Sequence, residues 1–97
     1  MKNEDVVKGF MNHRECKNRN MCSMHNKLYS YSTCIAQWSD DKNGVPVLYI
    51  NNTKYSQTTS KHCSYVKHQA RYYCKIVFVE NVPRNSTNLI KYAKNYD

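Results

Sequence analysis

LYSYSTCIAQWSDDKNGVPVLYI, residues 28–50, decides how this 97-residue chain is read. In its first half the large residues Tyr29, Tyr31, Thr33 and Ile35 alternate with the small residues Ser30, Ser32, Cys34 and Ala36. That period of two predicts a strand from Leu28 to Ser39, with a small-residue face suited to a closely packed helix. Asp40 to Gly44 then supplies turn chemistry, and Asn43-Gly44 is the strongest hairpin signal in the sequence. Val45 to Ile50 is the return strand, with Pro46 placed near its start or on a sheet edge.

Working outward toward the N-terminus, Asn3 is a suitable N-cap, and Glu4 and Asp5 suit the positive end of a helix dipole. Val6, Val7, Phe10 and Met11 share one helical face, so residues 4–12 are expected to form a short helix. Gly9 weakens it by about 1 kcal/mol relative to alanine. Residues 13–27 have no useful periodicity and are expected to be an irregular basic connector. Toward the C-terminus, Thr58, Thr59 or Ser60 can cap a helix running to about Arg71. Its apolar stripe is Cys63, Val66 and Ala70, and its outer face carries Lys61, Ser64, Lys67, His68 and Arg71. Residues 74–80, CKIVFVE, form a nearly continuous apolar run and are expected to be the central, most buried strand. Ser86 can cap a last helix with Leu89, Ala93 and Tyr96 on its buried stripe. The expected fold is a single α+β domain over residues 1–97, in the order α-β-β-α-β-α. It has a small, mainly antiparallel three-stranded sheet with flanking helices: a short helix and basic Cys/His connector in residues 1–27, and the core in residues 28–97.

The chain has 15 Lys and Arg against 7 Asp and Glu, for a net charge of +8, which favours acidic partners without specifying a fold. No stretch has the length or polarity of a signal peptide or a membrane span, so neither secretion nor membrane association is expected. Five cysteines, an odd number, are then expected to be reduced thiols. The charge is unevenly spread: residues 58–75 hold four bases and no acid, residues 1–27 six bases and three acids, and residues 28–57 two of each. Lys61, Lys67, His68, Arg71 and Lys75 alternate with Tyr65 and Tyr72, a mixture that can neutralise phosphates and stack on bases. Arg14, Lys17 and Arg19 extend the candidate surface into the connector.

The sharpest candidate for metal chemistry is His13-x2-Cys16-x5-Cys22-x2-His25, two pairs of ligand-type residues that could close a tetrahedral zinc site across a short loop. Its ligand pairs are closer together than in most zinc modules. No other cofactor is expected. His62, Cys63, His68 and Cys74 mix helix faces, and Cys63 and Cys74 read as core thiols. No nucleophile has an evident base and orienting partner, and the only glycines, Gly9 and Gly44, cannot build a phosphate loop. Enzymatic activity is not expected.

Two stretches carry a resemblance. Tyr29-Ser30-Tyr31, Thr33 and Ile35-Ala36, followed by Thr53-Lys54-Tyr55-Ser56 and Thr58-Thr59-Ser60-Lys61-His62, resemble an uncharacterised domain family common in small proteins of tailed bacteriophages. The similarity covers roughly the middle 40 residues and does not include residues 13–27. It implies phage origin and carries no assigned chemistry. With the basic helix, it leads to the expectation of a non-enzymatic phage protein in the cytoplasm of the bacterial host. Such a protein would bind and inhibit a host protein or nucleoprotein complex, such as a CRISPR effector or another defence or transcription complex. The alternatives are a DNA- or RNA-binding accessory protein, with or without a zinc knuckle, and a minor virion component.

Overall fold

The alternation in residues 28–39 is interrupted twice, and both interruptions shape the sheet. In the computed structural model, which describes residues 2–40, 42–53, 57–70, 75–83 and 86–92, this stretch is two strands joined by a two-residue turn. Tyr31 takes φ +55° at that turn, a left-handed conformation uncommon for a bulky residue, so the sequence carries no glycine signal for it. The second interruption is a register shift: Leu28 pairs with Ala36 but Tyr29 with Cys34. Ile35 is the extra residue, and a bulge of this kind places the consecutive Ile35 and Ala36 in the same core cluster.

The elements in chain order are helix α1 (Asn3–Met11), strands β1 (Cys16–Lys17), β2 (Met21–Met24), β3 (Lys27–Ser30), β4 (Thr33–Asp40) and β5 (Pro46–Asn51), helix α2 (Gln57–Ala70) and strand β6 (Lys75–Val79). A 3-10 turn, Ile90–Tyr92, follows. Strands β1 to β5 form an antiparallel meander, and β6 adds in parallel beside β5 after the α2 crossover.

This corrects the expected architecture: the sheet has six strands and is mixed, in the order α-β-β-β-β-β-α-β. The connector is two strands, with His25-Asn26 closing the β2–β3 hairpin and His25 at φ +57°. Like Tyr31, His25 stands where a glycine or asparagine would have announced a turn. Residues 74–80 yield the edge strand β6 and not the central one. Nor is it the most buried strand: Ile76 packs with the helices and Val77 and Val79 on the opposite side, but of the five residues only Val79 is buried, and Phe78 is 52% exposed. The last helix is replaced by the 3-10 turn, with Ser86 and Asn88 accepting bonds from Asn88 N–H and Ile90 N–H. Ala93 and Tyr96 lie outside the described residues.

Both helices lie on one face of the sheet. Val6, Val7 and Phe10 of α1 and Cys63, Val66 and Ala70 of α2 meet Met21, Leu28, Ile35, Trp38, Leu48 and Ile50 there. The helical stripes read from the sequence are therefore the buried ones. Behind the sheet, Cys34, Val47, Tyr49 and Val79 are covered by Val82 and Leu89 of the C-terminal strap, residues 82–83 and 86–92. The strap is pinned where Leu89 N–H donates to Gln37 Oε1 at 2.8 Å and Val82 N–H to Thr53 Oγ1 at 3.0 Å. It crosses β4 to β6, while Lys17 and Met24, on the β1–β3 part of that same face, are exposed.

Candidate nucleic-acid interface

The two stretches that carry the resemblance meet in space. Ser30 Oγ and His62 Nδ1 are 2.6 Å apart, and Asn3 Nδ2 donates to His62 Nε2 at 3.2 Å. Asn18 Nδ2 in turn donates to Asn3 Oδ1 at 2.8 Å, which leaves the Asn3 amide nitrogen to face the ring. His62 Nε2 is therefore an acceptor, and Nδ1–H donates to Ser30. The chain of bonds ties the β1–β2 turn to α1, α2 and β3. Asn3 does this work instead of capping α1, where Asp5 accepts from Lys2 N–H. Burial, assisted by the Lys61 charge, lowers the His62 pKa and keeps the ring neutral.

A serine, a histidine and an asparagine in line invite comparison with a catalytic triad, but Ser30 is fully buried and His62 is 2% exposed. No substrate reaches that hydroxyl, and Asn3 donates to the ring where a triad's third member accepts. The buried thiols are equally unsuited: burial pushes Cys34 and Cys63 up to about 11. Cys63 Sγ donates to Asn51 O, as expected of a core thiol; Cys74 lies outside the described residues.

The structure does not gather His13, Cys16, Cys22 and His25. Cys16 pairs with Ser23 and Cys22 with Lys17, and the pleat sends the two cysteines to opposite faces. Cys16 Sγ lies against Gly9 and bonds to Val6 O, and the His13 ring packs on Trp38, tilted by 40° with centroids 4.7 Å apart. His25, at the hairpin turn, pairs with Glu15. Among the described residues, no group of three or more His, Cys, Asp or Glu is placed to hold a metal ion.

The basic residues divide between two faces. Lys61 and His68 are exposed on α2, on the helix side. Lys67 is engaged within the fold, its ammonium 2.6 Å from Asn52 Oδ1 and 5.6 Å from the Phe78 ring centroid. Lys17 and Lys75 are exposed on the opposite face, and Arg71 and Tyr72 lie outside the described residues. Arg14 is exposed just ahead of β1. Arg19, from the β1–β2 turn, joins Tyr65 of α2 across a cleft of about 390 Å³ that Lys2, Asn3, Glu4 and Asn18 also line. A smaller recess of about 280 Å³ extends it along Glu4, Tyr65, His68 and Gln69. The connector and α2, separate in sequence, thus share one rim, with Glu4 as its carboxylate.

Sequence reasoning missed Lys2, whose place on this rim follows from docking α1 beside α2. It also missed Lys27 and Tyr29 as surface residues, because the strand containing them was joined to the next. A third cleft, about 400 Å³, lies between Lys8, Asn12, His13, Trp38 and Gln69, and only tertiary packing assembles it.

Fold and clefts define a two-layer α+β domain, two helices on a six-stranded mixed sheet. The sequence model of DUF8033, a family of unknown function, matches residues 4–80, and the chain belongs to that family. The match includes residues 13–27. It ends before the strap. Searches of curated proteins and of solved structures return no match. Among the described residues, no helix is long and apolar enough to cross a membrane.

Proposed function

We propose that this protein is a non-enzymatic binding protein of tailed-bacteriophage origin. On this reading it engages a host nucleoprotein, such as a defence or transcription complex, through the nucleic acid that complex carries, and inhibits it by occupation. The observation that carries the reading is the shared rim: Arg19, Lys2 and Tyr65 line one cleft, bringing cations for phosphates together with an aromatic ring for a base. Arg14, Lys17, Arg19 and Lys61 are exposed and, among the described residues, have no carboxylate partner, so their charge is available to a polyanion. The closed Ser30–His62 pair and the buried thiols favour binding over catalysis.

Affinity purification from host cells, with and without nuclease, tests the proposal. The expected result is one nucleoprotein complex recovered with the wild type and lost on nuclease treatment or in an Arg19→Glu/Lys2→Glu variant. Recovery of the same proteins with that folded variant and after nuclease would overturn it. A steep salt dependence on plain oligonucleotides with no host complex recovered would favour the simpler DNA- or RNA-binding accessory role.

A further inference from the structure

The face of β1–β3 opposite the helices combines features that the clefts lack. The pleat puts Lys17, Cys22, Met24, Lys27 and Tyr29 on this side, because Met21, Ser23, Leu28 and Ser30 are buried on the other. The register sets them in rows: Lys17, Cys22, Tyr29 and Cys34 lie across neighbouring strands, as do Met24, Lys27 and Gln37. Tyr29 is half-buried, packed against the cluster under the strap, and that burial, together with Cys34 and Cys22, raises its phenol pKa and keeps it neutral. Met24 is 47% exposed beside it, and Lys17 is exposed. With strands about 4.8 Å apart and about 3.4 Å per residue, Lys17 stands roughly 10 Å from Tyr29 across the sheet and Lys27 roughly 7 Å along β3. Glu15 is the one acid in residues 14–30, and the backbone and ring of His25 engage it.

We infer that this open sheet face is a binding surface for single-stranded nucleic acid: a base stacks on Tyr29, and flanking phosphates are taken by Lys17 and Lys27. A neutral ring on a rigid sheet, between two cations and with the local acid engaged, matches a flexible polyanion with exposed π-faces. A duplex cannot present its stacked bases to it. This inference rests on the functional reading above and deepens it by naming the form of the nucleic acid and a second contact surface.

The test is fluorescence anisotropy with a labelled 15-mer of deoxythymidine and a duplex of equal length, using the full chain. The single strand is expected to bind more tightly. Tyr29→Ala should weaken it by roughly 5- to 150-fold, the range for loss of one stacked base, and Tyr29→Phe should retain wild-type affinity. Lys17→Gln and Lys27→Gln should each reduce the salt slope by about 0.7. Should Tyr29→Ala not fold, the lysine variants decide. Unchanged single-strand affinity and slope in both lysine variants would overturn the inference. If binding is instead lost only in Lys2→Gln or Arg19→Gln, the sheet face falls and the functional reading stands. If the wild type binds neither oligonucleotide at low salt, both fall.

Discussion

Replacing Gly9 with alanine should destabilise this protein, although the same change in the middle of an exposed helix stabilises by about 1 kcal/mol. The reason is the close approach of β1 to α1. A Cβ on Gly9 would lie 2.5 Å from Cys16 Sγ, whereas the next nearest atoms, Cys16 Cβ and Arg14 Cβ, are at 3.8 and 4.0 Å. Heavy atoms in ordinary contact sit about 3.5–4.0 Å apart, so the thiol or the helix must give way by about 1 Å. The thiol is held in place by Val6 O at 3.6 Å, and the helix by Val6, Val7 and Phe10, all essentially buried. Overpacking of this kind costs about 1–3 kcal/mol, which outweighs the helix-propensity gain and leaves Gly9→Ala destabilising by up to about 2 kcal/mol. In a Cys16→Ala background the sulfur is gone, and the same substitution should stabilise by about 0.5–1 kcal/mol. Urea unfolding followed by the fluorescence of the single tryptophan, Trp38, whose ring lies 6.0 Å from that of Phe10, reads both backgrounds. Equal effects of Gly9→Ala with and without the Cys16 sulfur, additive to within about 0.5 kcal/mol, would refute the argument.

Ser30→Ala leaves the His62 Nδ1–H buried without an acceptor and should cost about 1–3 kcal/mol in the same unfolding assay; a loss below about 0.5 kcal/mol would show that the bond is not made in solution. Because the His62 pKa is lowered in the fold, the unfolded chain binds the extra proton first as pH drops. Stability from this residue is therefore complete above about pH 6.5 and lost below it. A urea midpoint that falls no more between pH 7.5 and 5.5 in the wild type than in His62→Gln would contradict this. Cys34 and Cys63, both raised to about 11, should react with a thiol reagent at pH 8 only at the rate of unfolding, and prompt labelling of either in the native protein would place it outside the core. The same two shifts contribute stability that is full below about pH 8.5 and lost as pH rises toward 11, so the urea midpoint should fall less over that interval once both are replaced.

The helices and the Asn43-Gly44 hairpin were legible because their signals are local: apolar residues every three or four positions, and the one residue pair that favours a tight turn. Buried Val66 and Ala70 and the β4–β5 pairing match that reading. Three other hairpins were not: in the β2–β3 and β3–β4 turns His25 and Tyr31 adopt left-handed conformations that residue type does not announce, and the β1–β2 turn is closed by Asn18 Oδ1 accepting from Asn20 and Met21 N–H. The bulge at Ile35 then hid the change of face within β4. The edge position of β6 is not legible because an apolar run says nothing of the neighbours to either side, and Phe78 is 52% exposed despite its type. Of the candidate site, the residue types were legible but not their grouping: Arg19 joins Tyr65, Lys17 goes to the other face, and Lys67 is spent on Asn52 and Phe78. The spacing of His13, Cys16, Cys22 and His25 suits a ligand set only in a loop; strand pleating separates the cysteines.

The central claim, that the unpaired positive charge serves a nucleic acid, is tested most directly by the salt dependence of binding to a plain single-stranded oligonucleotide. Plotted as log affinity against log salt, the wild type should give a straight line with a slope of about −2.8, the value for four phosphates neutralised at about 0.7 each. The slope should become shallower as Lys2, Lys17, Arg19 and Lys27 are replaced in turn by glutamine. A flat line, or a slope that none of these replacements changes, would contradict the claim.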